Sequence, residues 1–125
     1  MVGPKEKKYV DDLIGLGKKY DFDVILNEHF ANRHYNPDLI WKLDDKLIGF
    51  EVEYSDDGPS NKHFIGDAYW LNKYMNIGFI IIRGKMKSLN KLLNFLKEKH
   101  SDFKNIFIID VEKLDQIIKI LKQNL

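Results

Sequence analysis

Between Asn76 and Gly84 the chain carries Ile77-Gly78-Phe79-Ile80-Ile81-Ile82, a short apolar run with no polar interruption. Its length and β-branched content read as a strand. A strand with no polar face must be covered on both sides, so the fold needs a layer above and a layer below the sheet. The flanking segments supply them. Phe64, Ala68, Leu71 and Met75 recur at helical spacing ahead of it, with Ser60 as the expected N-cap. Leu89, Leu92, Leu93 and Leu96 do so after it, with Ser88 as the expected cap. A second buried strand is expected over Ile106–Ile109, then a closing helix through Leu114, Ile117, Ile118 and Leu121. Strands alternating with helices pair in parallel through right-handed crossovers.

The first half has a different rhythm. Tyr9, Val10, Leu13, Ile14 and Leu16 predict a helix over Lys5–Lys18, weakened by Gly15 and Gly17. Phe22–Asn27 reads as a strand and Glu28–Asn36 as a loop or frayed strand end. Asp38–Leu43 and Leu47–Tyr54 form a hairpin around Asp44-Asp45-Lys46. Ser55–Ser60, with Gly58 and Pro59, is a loop. The order α-β-β-β-α-β-α-β-α predicts a mixed sheet with helices on both faces. At 125 residues the chain suits one α/β domain over 1–125.

Composition removes several function classes. Without cysteine there is no disulfide and no Cys-ligated zinc, which fits a reducing, cytoplasmic setting. Met1–Lys8 is polar with no apolar segment after it, so no signal peptide is expected, and Ile77–Ile82 is too short to span a bilayer. Neither G-x-G-x-x-G nor a Walker A run is present, which argues against a nucleotide-binding regulator, and no G-x-S-x-G supports serine chemistry. The net charge is only +1, whereas proteins that grip DNA usually carry a basic excess; any positive surface here has to be local.

The chemistry gathers on the hairpin. With Asp44 and Asp45 as a two-residue turn, Leu43 faces Lys46, Trp41 faces Ile48, Leu39 faces Phe50 and Asp38 faces Glu51. Opposed residues share a side with Cβ atoms roughly 5 Å apart, and Glu53 shares the side of Glu51. One face then holds Leu39, Trp41, Ile48, Phe50, Val52 and Tyr54, while the other gathers Asp38, Glu51 and Glu53 at one end. Ile40, Leu47 and Gly49 on the acidic face indicate that it is covered. Three crowded carboxylates raise one another's pKa unless a cation joins them. An oxygen-preferring divalent ion, Mg²⁺ or Mn²⁺, is the natural partner.

Asn36-Pro37-Asp38-Leu39-Ile40, a hairpin turn, then Gly49-Phe50-Glu51-Val52-Glu53 resembles the PD-(D/E)xK nuclease motif. The element order resembles that superfamily's restriction-endonuclease-like αβββαβ core from Lys5 to about Arg83, with the αβα segment after Gly84 as a C-terminal extension. The resemblance implies a metal-dependent DNA endonuclease, usually a homodimer, with Asp38, Glu51 and the Val52 carbonyl as ligands of Mg²⁺ or Mn²⁺. The family's lysine would stand at position 53, where this chain has Glu53. Glu53 can act as a base or further ligand, as in some type II restriction endonucleases. The lysine's role can have passed to Lys62, at the start of the next helix. Otherwise the protein is a catalytically inactive nuclease-fold subunit for nucleic-acid binding or assembly.

Glu28 is a further ligand candidate, and Glu6, Asp11 and Asp12 compete for the upstream acidic position that the resemblance implies. Arg33, His34, Lys62 and His63, taken as loop residues flanking the site, offer local positive charge for phosphates. Tyr69 and Trp70 fit a core role at helical spacing as well as base stacking.

Overall fold

The computed structural model describes residues 4–54 and 58–125; of the expected Ser55–Ser60 loop, residues 55–57 lie outside this range. The hairpin has the expected register. β2 (Leu39–Leu43) and β3 (Lys46–Glu53) run antiparallel, with Leu39 opposite Phe50, Trp41 opposite Ile48 and Leu43 opposite Lys46. Asp44 in the turn has φ 53°, a left-handed conformation that Asp tolerates better than most residues. β1 (Asp23–Ile25) adds antiparallel to β2. β4 (Ile77–Ile82) and β5 (Ile106–Asp110) add in parallel beyond β3, giving the sheet order β1-β2-β3-β4-β5.

Helices cover both faces, as the fully buried β4 requires. Val10 and Leu13 of α1 (Pro4–Lys19) and Ile117, Ile118 and Leu121 of α4 (Gln116–Asn124) pack on Leu39, Trp41, Ile48, Phe50 and Val52. On the opposite face, Phe64, Ala68 and Leu71 of α2 (Asn61–Tyr74) and Leu89 and Leu93 of α3 (Met86–Lys99) cover Ile40, Ile80, Ile82 and Ile108. Gly49 and Gly78 sit side by side across β3 and β4, and both are crowded by α2. A Cβ on Gly49 would lie 2.5 Å from Met75 Cγ, so the missing side chains let α2 settle close to the acidic face of the hairpin.

Chain punctuation departs from expectation in three places. α3 starts at Met86, not at Ser88: Gly84 and Lys85 both have positive φ, Lys85 takes the cap position, and Ser88 Oγ donates to the Lys85 carbonyl from inside the first turn. Leu114 lies in the turn before α4, although it still packs on the core. Glu28–Asn36 contains an isolated Phe30–Tyr35 bridge closed by Ala31, Asn32 and Arg33, all at positive φ. No helix among the described residues is long and apolar enough to cross a membrane.

α1 runs through both of its glycines and ends in a Schellman motif. Asp21 adopts φ 64°, its N–H bonds the Lys18 carbonyl at 3.1 Å, and the Phe22 N–H bonds the Gly17 carbonyl at 3.0 Å. Phe22 then stacks on Trp41, whose Nε1 donates to the Leu13 carbonyl at 3.1 Å. The two glycines are therefore not equivalent. A Cβ at Gly15 meets nothing within 4 Å, whereas one at Gly17 would lie 2.5 Å from Trp41 Nε1. Urea unfolding should show Gly15→Ala stabilised by about 0.5–1 kcal/mol. Gly17→Ala should be destabilised by about 1–3 kcal/mol, because crowding the fully buried indole outweighs the propensity gain.

Candidate metal centre

β3 is the strand with an antiparallel neighbour on one side and a parallel one on the other. The acidic residues collect at its carboxyl end, where ligands commonly bind in α/β sheets. Asp38 stands just ahead of β2, and two reciprocal hydrogen bonds fix it there. Its Oδ2 accepts the Val52 N–H at 2.8 Å, and its own N–H donates to Glu51 Oε1 at 3.1 Å. A strand residue's N–H and C=O point to the same edge, so the Val52 carbonyl points to the Asp38 side. Asn36 holds the approach to this end, its amide donating to the Glu28 carbonyl at 2.8 Å and the Pro37 carbonyl at 3.2 Å when so oriented.

From the other side α2 contributes His63 and Asp67, one turn apart. Ser60 caps the helix as expected, its Oγ accepting the His63 N–H at 3.1 Å. His63 Nε2 lies 2.8 Å from Glu53 Oε1 and 3.7 Å from Asp67 Oδ2. Asp38, Glu51, Val52, Glu53, His63 and Asp67 line one pocket of about 240 Å³, together with Glu6 and Asn36. Glu53, His63 and Asp67 each offer a ligand atom, all within 4.8 Å of one another.

Charge in this pocket is unbalanced. Among the described residues, none that lines it is lysine or arginine. Asp67 is 7 % exposed and its Oδ2 receives no hydrogen bond. Burial first, then the neighbouring Glu53 and Glu51, pushes the Asp67 carboxyl up to about 11. Burial and the adjacent Asp38 push Glu51 up to about 8. Asp38 is raised by burial against the opposing Val52 hydrogen bond. Tyr35, whose hydroxyl is buried without a partner, is driven far above the usual phenol range by burial and then by Glu51 and Asp67. An orphaned buried carboxylate oxygen among oxygen donors and one imidazole is a donor set that fits a divalent cation.

Several residues singled out in the sequence fall elsewhere. Lys62 stands at the start of α2 as expected and His63 shares that first turn instead of a loop, while the exposed Lys62 lines a neighbouring groove of about 400 Å³ with Ser60, Gly66 and Trp70. Glu28 is exposed and outside the pocket. Of the upstream acids Glu6 lines the pocket, whereas Asp11 pairs with Lys7 at 2.7 Å on the surface and Asp12 is exposed. Arg33 and His34 are exposed in the turn after Phe30. Trp70 is half-buried and stacks on Tyr35 at 5.4 Å, while Tyr69 is 50 % exposed. Asp67 was not singled out because α2 reads as a helix with one apolar stripe. Its signal was that the positions three and four residues away are His63, Phe64, Trp70 and Leu71, none of them Lys or Arg.

The molecule is thus a mixed α/β domain whose five-stranded sheet, flanked by helices, presents a carboxylate-rich pocket at the end of its central strand. No family model matches the chain, and no curated protein or solved structure matches it significantly.

In the metal-free protein Glu51 and Asp67 keep their protons far above the values of 4.5 and 3.8 at which such groups ordinarily lose them. Their contribution to stability is therefore full below about pH 4 and is lost as pH rises through about 8 for Glu51 and on towards about 11 for Asp67. Urea unfolding in excess chelator should show stability falling between pH 5 and pH 8 by up to about 1.4 kcal/mol per pH unit for each group. Glu51→Gln and Asp67→Asn should each flatten that slope. Calorimetry in buffers of different ionisation enthalpy should show protons released when Mn²⁺ binds at pH 7.

Proposed function

We propose that this chain is a metal-dependent DNA endonuclease of the PD-(D/E)xK type, hydrolysing phosphodiester bonds, and that it cuts duplexes as a homodimer. The observation that carries the reading is the pocket itself: Asp38 and Glu51 meet there as the motif requires, Glu53 stands where the motif has its lysine, and among the described residues no lysine or arginine lines it. The order α1-β1-β2-β3-α2-β4 supports it, because it follows the restriction-endonuclease-like core, with α3-β5-α4 as the extension.

Asp38, Glu51 and the Val52 carbonyl are the residues that would hold Mg²⁺ or Mn²⁺. A bound cation of this kind lowers the pKa of a ligated water and neutralises charge on the scissile phosphate. The mutual hydrogen bonds of Asp38, Val52 and Glu51 keep both carboxylates in place before any ligand arrives. Next to the pocket, and sharing His63 and Asp67 with it, the groove at the start of α2 brings Lys62 and the positive end of the helix. That groove is where a phosphate backbone finds the local positive charge that a net charge of +1 does not supply. Trp70 on its wall offers a ring face or edge to a base.

Incubation of duplex, branched and single-stranded DNA with the protein and Mg²⁺ or Mn²⁺ tests the reading. Cleavage should require the metal and fall by more than about 100-fold in Asp38→Ala and in Glu51→Gln, beyond the loss expected from removing an outer partner. Lys62→Ala should weaken DNA binding without abolishing metal binding. Failure to cut any of these substrates by protein that binds the metal in calorimetry would replace this reading with the non-catalytic nucleic-acid-binding or assembly subunit.

A further inference from the structure

In the resembled motif the position of Glu53 belongs to a lysine, whose ammonium brings positive charge to the reacting phosphate. Here that position carries the opposite charge and points to the two α2 residues His63 and Asp67. We infer that Glu53, His63 and Asp67 form a second cation site, beside the Asp38–Glu51–Val52 site, and that a Mn²⁺ ion held there takes the place of the missing lysine. The inference deepens the proposed function and rests on its first metal site.

Two independent observations support it. The first is spacing. Around an ion with bonds of roughly 2.1 Å, neighbouring ligand atoms lie about 3.0 Å apart and opposite ones about 4.2 Å. The observed 2.8 Å between His63 Nε2 and Glu53 Oε1 and 3.7 Å between His63 Nε2 and Asp67 Oδ2 fall close to that range before any ion draws them in. The second is the orphaned Asp67 Oδ2, nine-tenths buried, lining the pocket and receiving no hydrogen bond. A simple His63–Glu53 hydrogen bond leaves that atom unanswered, because the contact uses Nε2 on Glu53. A cation between the three answers all of them.

The donor set selects the ion. Mg²⁺ prefers oxygen ligands throughout, whereas one imidazole nitrogen with two carboxylates suits a first-row divalent ion, and Mn²⁺ is the one whose preference for carboxylate oxygen also fits the first site. His63 is the ligand open to solvent, its side chain 57 % exposed, while Asp67 forms the floor. Ion entry therefore requires no opening of the core. Glu51 lines the same pocket as Asp67, and its carboxylate accepts the Asp38 N–H of the first site.

Mn²⁺ titration followed by electron paramagnetic resonance tests the inference on the whole chain, with thermal melts confirming that each variant folds. Wild type should bind about two ions per chain, and Asp38→Ala, His63→Ala and Asp67→Asn about one each. Wild type and Asp38→Ala should show ¹⁴N modulation from a directly bound imidazole, and His63→Ala should lose it. Exposed His63 makes its variant safe for folding, and Asp67→Asn keeps the side-chain shape should His63→Ala perturb α2. One ion in wild type, without ¹⁴N coupling and lost in Asp38→Ala, would overturn the second site and leave the nuclease reading standing. Two ions with ¹⁴N coupling but no DNA cleavage would uphold the second site and sink the nuclease reading. No Mn²⁺ binding at all would overturn both.

Discussion

Everything at the carboxyl end of the sheet depends on the register of one hairpin. Leu39 opposite Phe50 puts Leu39, Trp41, Ile48 and Phe50 into the α1–α4 core and sends Asp38 and Glu51 to the opposite side. A slip of one residue would reverse every side chain, placing carboxylates against Val10 and Leu13 and bringing the indole of Trp41 out of a fully buried site. Trp41 makes such a slip costly, since it stacks on Phe22, meets Phe50 at 4.5 Å and donates to Leu13. Apolar packing on one face thus fixes acid placement on the other. The Asp38–Val52 and Glu51–Asp38 hydrogen bonds lock the strand end once the register is set.

Covering the acidic face is what turns three strand carboxylates into a centre. Exposed to water, Asp38, Glu51 and Glu53 would be an ordinary solvated surface. α2 removes that water, because Gly49 and Gly78 let Leu71 and Met75 approach the sheet backbone closely. The same helix that dehydrates the acids delivers Asp67 and His63 to them. Local stability is given up for this, as groups that must stay protonated or find a cation are a poor way to fill a core. The rest of the domain is densely apolar: Ile77–Ile82 is buried throughout, and the Phe50, Phe79 and Phe107 rings stack in series across three strands.

The element order and the hairpin pairing were legible in the sequence because each rested on a periodicity confirmed from two sides. Leu39–Leu43 and Lys46–Glu53 alternate in step about a two-residue turn, and β4 is apolar without a break. Signals resting on one residue type served less well. Ser88 looks like a cap, but the backbone at Gly84 and Lys85 starts the helix three residues earlier. Lys62 stands in the first turn of α2, as expected, and lines the groove beside the acidic pocket. Asp67 and His63 join the centre through a contact between a helix and a strand end. No local pattern encodes such a contact; the sequence marks His63 only as lying near the site and Asp67 only as an acid with no Lys or Arg three or four residues away.

The centre's geometry also leaves half of the molecule unencumbered. Site residues enter from the carboxyl end of β3, whereas the Asp44-Asp45 turn and the polar hollow bordered by Asn72, Lys73, Asn76 and Asn105 lie towards the opposite end of the sheet. Asn76 already ties that far end together by accepting the Leu47 N–H through its side chain at 2.8 Å. The domain is in this sense polar along its strands, with the carboxylate pocket at one pole and connectivity at the other. Loops at the second pole can be lengthened, fused to other modules or tethered to a surface without touching a ligand. Changes at the first pole alter the buried carboxyls themselves.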